Sequence, residues 1–132
     1  MSRLPAVFAA IGLLLFARDL AAAEIEVRDP DNLREIFSGT LLAGVGPEGR
    51  AFKAYLFNDG QVMLEASGHP ADAGRWSIQD ERFCVELRTS FQGKLTCFGV
   101  TFGGADKIGL VMNENITLET RAIGRAISLS LR

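Results

Sequence analysis

A chain of 132 residues of which 48% are hydrophobic is long enough for one packed domain, too short for two, and too apolar for intrinsic disorder. Its formal charge is -2, a balance that argues against the basic surface nucleic-acid binding needs to displace counterions.

The first 23 residues have the order of a secretory signal. Arg3 gives a positive start, Val7 to Phe16 form an apolar run, and Ala21, Ala22 and Ala23 put small side chains at a cleavage point before Glu24. The run is too short to span a bilayer, which takes about 20 apolar residues in a helix. The mature protein is therefore expected to be Glu24 to Arg132, periplasmic or secreted, as a single domain of 109 residues. A lipoprotein signal would place a cysteine where Glu24 stands, so no stable membrane anchor is expected after cleavage. Removal of Arg3, Arg18 and Asp19 leaves 12 basic and 15 acidic residues.

One short helix is predicted over Asp29 to Gly39. Asp29 or Asp31 caps its first turn, Pro30 is tolerated there, and Gly39 suits its end. Leu33, Ile36 and Phe37 fall on one face.

Beyond the helix the chain is a series of short apolar runs separated by turn residues. The runs are Thr40 to Ala43, Ala51 to Phe57, Gln61 to Ser67, Arg75 to Gln79, Arg82 to Thr89, Lys94 to Phe102, Lys107 to Met112 and Ile116 to Arg121. The alternation of Ile127, Leu129 and Leu131 with serines offers a ninth strand. Turns such as Asn58-Asp59-Gly60 are short, so neighbouring strands must be antiparallel. The expected fold is all-β: a small antiparallel up-and-down β-barrel of about eight strands with one short N-terminal helix. The longest connection, Gly68 to Gly74, is the place for a recognition loop, and it contains His69 and Asp72.

Cys84 and Cys97 fall on adjacent predicted strands, and an even cysteine count in an oxidising compartment points to a disulfide. A bridge between directly opposite partners pairs Phe83 with Phe98, Val85 with Thr96 and Leu87 with Lys94, around a turn centred on Ser90 and Phe91. That register puts Phe83, Val85 and Leu87 on one face with Phe98, Val100 and Phe102, so the bridge and the burial pattern specify the same pairing.

No catalytic set is present. His69 is the lone histidine and stands before proline, with Asp72 nearby but no nucleophile motif. Two cysteines with no further cysteine or histidine close by cannot complete a structural zinc shell. Met63 and Met112 come without a haem attachment motif, and no glycine-rich phosphate cradle occurs. The expectation is a non-enzymatic protein with no cofactor and no metal. Among the aromatics on the predicted strands, Tyr55, Trp76, Phe83 and Phe98 are candidates to line an apolar ligand site. A chain this small needs most of its large side chains for core, so a filled barrel is the expectation and a hollow one the competing reading.

The succession Phe57-Asn58-Asp59-Gly60, Gly74-Arg75-Trp76-Ser77-Ile78, Phe83-Cys84-Val85-Glu86-Leu87 and Cys97 resembles small exported bacterial proteins with a lipocalin-like β-barrel. The resemblance implies barrel architecture and periplasmic residence rather than a chemistry. Gly74 to Leu87 is also similar to the tryptophan-then-cysteine pattern of periplasmic inhibitors of secreted metalloproteases, which implies a partner interface around Glu24 to Asp31 and the Gly68 to Gly74 loop. The reading that results is an exported protein that acts by binding a small apolar ligand or a protein partner, with protease inhibition as the alternative.

Overall fold

Asp29 starts the helix as its sequence position suggests. In the computed structural model, which describes residues 24–104 and 106–125, α1 runs over Pro30–Phe37, and the Asp29 carboxylate accepts a hydrogen bond from the Asn32 N–H at 3.0 Å. Pro30 occupies a first-turn position whose missing N–H costs nothing. Gly39, at φ +67°, turns the chain out of the helix. Leu33 and Phe37 are wholly buried and Ile36 partly so, which is the face that the spacing marks.

The helix leads into β2 (Thr40–Val45), β3 (Ala51–Leu56), β4 (Gln61–Ala66), β5 (Asp72–Gln79), β6 (Arg82–Leu87), β7 (Thr96–Phe102), β8 (Lys107–Asn113) and β9 (Ile116–Arg125). Each pairs antiparallel with the next, and β9 returns to β2, so eight strands close an up-and-down barrel. Closure pairs both sides of each of these eight strands. A bulge between Leu41 and Leu42 accommodates the β2–β9 seam. Alternate residues, such as Leu42, Ala54, Leu56, Val62, Val85 and Leu118, are buried inside, as a period of two requires.

A further strand, β1 (Ile25–Val27), pairs with Val100, Thr101 and Phe102 of β7. It extends the line of β6, which pairs with Thr96, Cys97 and Phe98 on that edge. Three residues alternating around Glu26 carry too little pattern to mark a strand; β7 supplies the partner edge. The predicted tail strand, Ala126 to Leu131, and the signal segment, residues 1–23, lie outside the described residues.

Cys84 and Cys97 form a disulfide across β6 and β7, with Cα atoms 4.0 Å apart. Phe83↔Phe98 and Val85↔Thr96 flank it in the expected register. The expected partnership of Leu87 with Lys94 does not form. The ladder stops at Val85, and the chain then makes a short turn over Ser90–Gly93, in which Phe91, Gln92 and Gly93 all have positive φ. The Gly68 to Gly74 connection is also shorter than expected, since Asp72, Ala73 and Gly74 belong to β5. Both departures trace to Asp72, whose side chain reaches from β5 to Thr89 and Ser90.

A candidate ligand cavity in the barrel

The barrel has two unlike ends. At one, the start of β2 meets the ends of β3 and β9, and α1 packs across the opening. The Phe37 ring stacks on Phe83 with centroids 4.2 Å apart. Trp76 fills the same end, 6.2 Å from Phe83, and its indole N–H donates to the Phe57 carbonyl at 2.8 Å. Gly74, two residues before it, has a packing reason: a Cβ there would collide with the Glu86 carbonyl and stand 2.8 Å from Leu87 Cα. The glycine lets β5 and β6 approach closely, and Trp76 then closes the floor.

Above that floor the interior is hollow. A cavity of about 360 Å³ runs to the opposite end. Its walls are apolar: Phe52, Ala54 and Leu56 from β3, Val62 and Leu64 from β4, Phe83, Val85 and Leu87 from β6, with Leu42, Phe98, Leu110, Met112 and Leu118 from the other strands. The expectation of a filled barrel is thereby replaced by its competitor. Phe37 and Trp76 crowd the helix end against Phe83, and the cavity begins on the other side of that ring. Among the described residues no buried side-chain nitrogen or oxygen lacks a hydrogen-bond partner, so the walls offer nothing for a polar ligand to satisfy.

The mouth is built from the β2–β3 hairpin, which contributes Gly46, Pro47, Glu48 and Arg50, and from Ser90 and Phe91 of the β6–β7 connection. Phe91 meets Phe98 edge to face, with centroids 6.0 Å apart, and remains 38% exposed. It therefore stands between cavity and solvent.

Asp72 holds that segment in place. The residue is 7% exposed, and its carboxylate accepts from the Thr89 hydroxyl at 2.9 Å, the Ser90 N–H at 2.7 Å and the Thr89 N–H at 3.2 Å. Burial works to raise its pKa, but the Ser90 and Thr89 donors outweigh it and hold the carboxyl well below the usual carboxylate range. By drawing Thr89 and Ser90 toward β5, Asp72 ends the β6–β7 ladder early and sets the turn that carries Phe91.

Of the sequence candidates, Phe83 and Phe98 line the cavity. Trp76 supports its floor. Tyr55 does not belong to it: Ala54 and Leu56 face inward, so Tyr55 lies on the outer face, where burial and the neighbouring Glu65 carboxylate raise its pKa. His69 is exposed at the rim and accepts from Arg50 Nη1. It lines, with Asp72, Arg88 and Thr89, a rim groove of about 520 Å³ that shares Leu64, Ala66 and Ser90 with the interior cavity. Asp72 is committed to the loop and not offered to solvent. Met112 lines the cavity and Met63 points outward, 40% exposed. Arg50 is not marked by its sequence; an arginine after Pro47-Glu48-Gly49 reads as ordinary turn charge until the closed barrel sets it at the mouth.

Among the described residues, no group of three or more His, Cys, Asp or Glu side chains is placed to hold a metal ion, and no helix is long and apolar enough to cross a membrane. Comparison of the chain with protein-family models, characterised proteins and solved structures finds no match.

Proposed function

We propose that the protein is exported and works by binding, taking a small apolar ligand into the barrel through the mouth formed by the β2–β3 hairpin and Phe91. The observation that carries this reading is the open, apolar-walled cavity of about 360 Å³, within the range of about 300–1,000 Å³ in which small-molecule sites fall. Apolar walls favour a ligand that leaves water for them, at roughly 25 cal/mol per Å² of apolar surface removed from solvent. The signal-like residues 1–23 and the Cys84–Cys97 disulfide support an oxidising compartment.

Native mass spectrometry of protein purified from its own cells tests both halves of the reading. The expected species begins at Glu24, lacks two hydrogens for the disulfide and carries a bound small molecule. In parallel, an environment-sensitive apolar fluorophore is expected to bind at one molecule per chain. A protein that retains its leader refutes export, and failure of every apolar probe to bind refutes the interior site.

A further inference from the structure

Among the described residues, charge touches the interior cavity only at its mouth, where Glu48 and Arg50 line it from a single hairpin. The two do not neutralise each other closely. Arg50 Nε lies 3.9 Å from a Glu48 oxygen, and the Glu48 side chain is 82% exposed against 49% for Arg50. Arg50 instead reaches across to His69, donating to Nε2, and so stands where the cavity meets the rim groove. That groove adds Arg88. Its one acid, Asp72, already has its oxygens covered by Thr89 and Ser90 donors.

The walls fix where a polar group can go. With no unpartnered buried polar atom among the described residues, a head group drawn inside would lose its water without compensation. It must stay at the mouth, beside Arg50. Capacity bounds the remainder: an apolar cavity of about 150 Å³ takes one benzene, so one of about 360 Å³ takes about twelve to fifteen carbon atoms.

We propose that the ligand is a single-chain anionic amphiphile, with a tail of about a dozen carbons inside the barrel and an acidic head group held by Arg50 at the mouth. The proposal rests on the interior-binding reading and adds the head-group charge. Arg50 presents several N–H donors in a fixed fork that matches an acidic oxygen pair. Glu48, whose side chain is 82% exposed, is screened by water and opposes it weakly.

Three amphiphiles with one tail separate the two claims: dodecanoate, dodecanol and dodecyltrimethylammonium, each titrated below its micellar concentration against a bound apolar fluorophore. Dodecanoate is expected to displace the fluorophore about tenfold more tightly than dodecanol, the usual scale for a hydrogen bond to a charged group, with the cationic compound weakest. Arg50→Gln is expected to abolish that preference, Arg50→Lys to keep only part of it because a point charge replaces the fork, and Glu48→Gln to increase it; thermal melts confirm that each variant is folded. Equal displacement by all three amphiphiles, or an Arg50→Gln protein that still prefers dodecanoate, overturns the head-group assignment while leaving the interior site standing. If none of the three displaces the fluorophore, the interior site itself is wrong.

Discussion

Asp72 accepts hydrogen bonds from Thr89 and Ser90 in a position almost closed to solvent. Asp72→Asn keeps the shape but loses the charge and turns one acceptor oxygen into a donor facing donors. The expected cost is about 2–3 kcal/mol, the scale for charge-assisted bonds, read as a lower urea midpoint at neutral pH. The sign of the pH effect is set by the depressed carboxyl pKa. Stabilisation is complete above the ordinary Asp range near pH 4 and is lost as the medium becomes more acidic and the folded carboxylate takes up a proton. Urea midpoints measured from pH 7 down to pH 3 should therefore fall more steeply for the native protein than for Asp72→Asn; parallel curves would refute the role. Sequence spacing alone pairs Asp72 with His69, three residues away, because the long-range donors at Thr89 and Ser90 become neighbours only when β5 and β6 pair. Gly74 is similar. Its need for a missing Cβ is invisible until Glu86 and Leu87 lie across from it, and Gly74→Ala is expected to cost about 1–3 kcal/mol, the usual penalty of forced overpacking.

At the scale of elements, legibility depends on how many constraints agree. The β6–β7 register is readable because the Cys84–Cys97 bridge and the Phe83, Val85, Phe98 and Val100 face demand one alignment. The α1 boundaries are readable because Asp29, Pro30 and Gly39 are local signals. By contrast, β1 depends on a free stretch of β7, and the β6–β7 turn depends on Asp72, so neither is written in its own residues. The bridge closes a loop with a sequence separation of 13, for which the chain-entropy account gives on the order of 3 kcal/mol. Cys84 is wholly buried but Cys97 only half-buried, so a reductant meets the bridge at one sulfur alone, and reduction should be slower in the native protein than in denaturant. Mild reductant is expected to leave the native protein oxidised, while reduction in denaturant and then refolding should lower the unfolding free energy from urea titration by that amount. The helix plug gives a second test. Phe37→Ala removes a buried ring stacked on Phe83 and should cost about 3–5 kcal/mol, more than any substitution at the mouth.

The property that the sequence conceals is the hollowness of the whole. Each apolar residue on a strand is consistent with a packed core, and whether eight strands leave space depends on how the barrel closes and how far α1 enters it. Phe37, Trp76 and Phe83 pack together toward the helix end, and the opposite half is walled by aliphatic side chains, Ala54 among them, together with Phe52 and the Phe91–Phe98 pair. Ala54→Phe turns this into a measurement of sign. In a filled core an added ring forces side chains aside and costs about 1–3 kcal/mol. In a cavity of about 360 Å³ the same ring enters empty space and gains part of the roughly 1.5–3 kcal/mol of a buried phenylalanine. We expect Ala54→Phe to raise the melting temperature by several degrees, at about 4–8 °C per kcal/mol for a domain near this size, and to weaken binding of an apolar fluorophore. Stability and affinity should thus move in opposite directions, because the space that admits a ligand is space the native fold leaves unpacked. A variant that melts lower and binds the fluorophore as before would mean that the interior is already full and that the probe sits elsewhere.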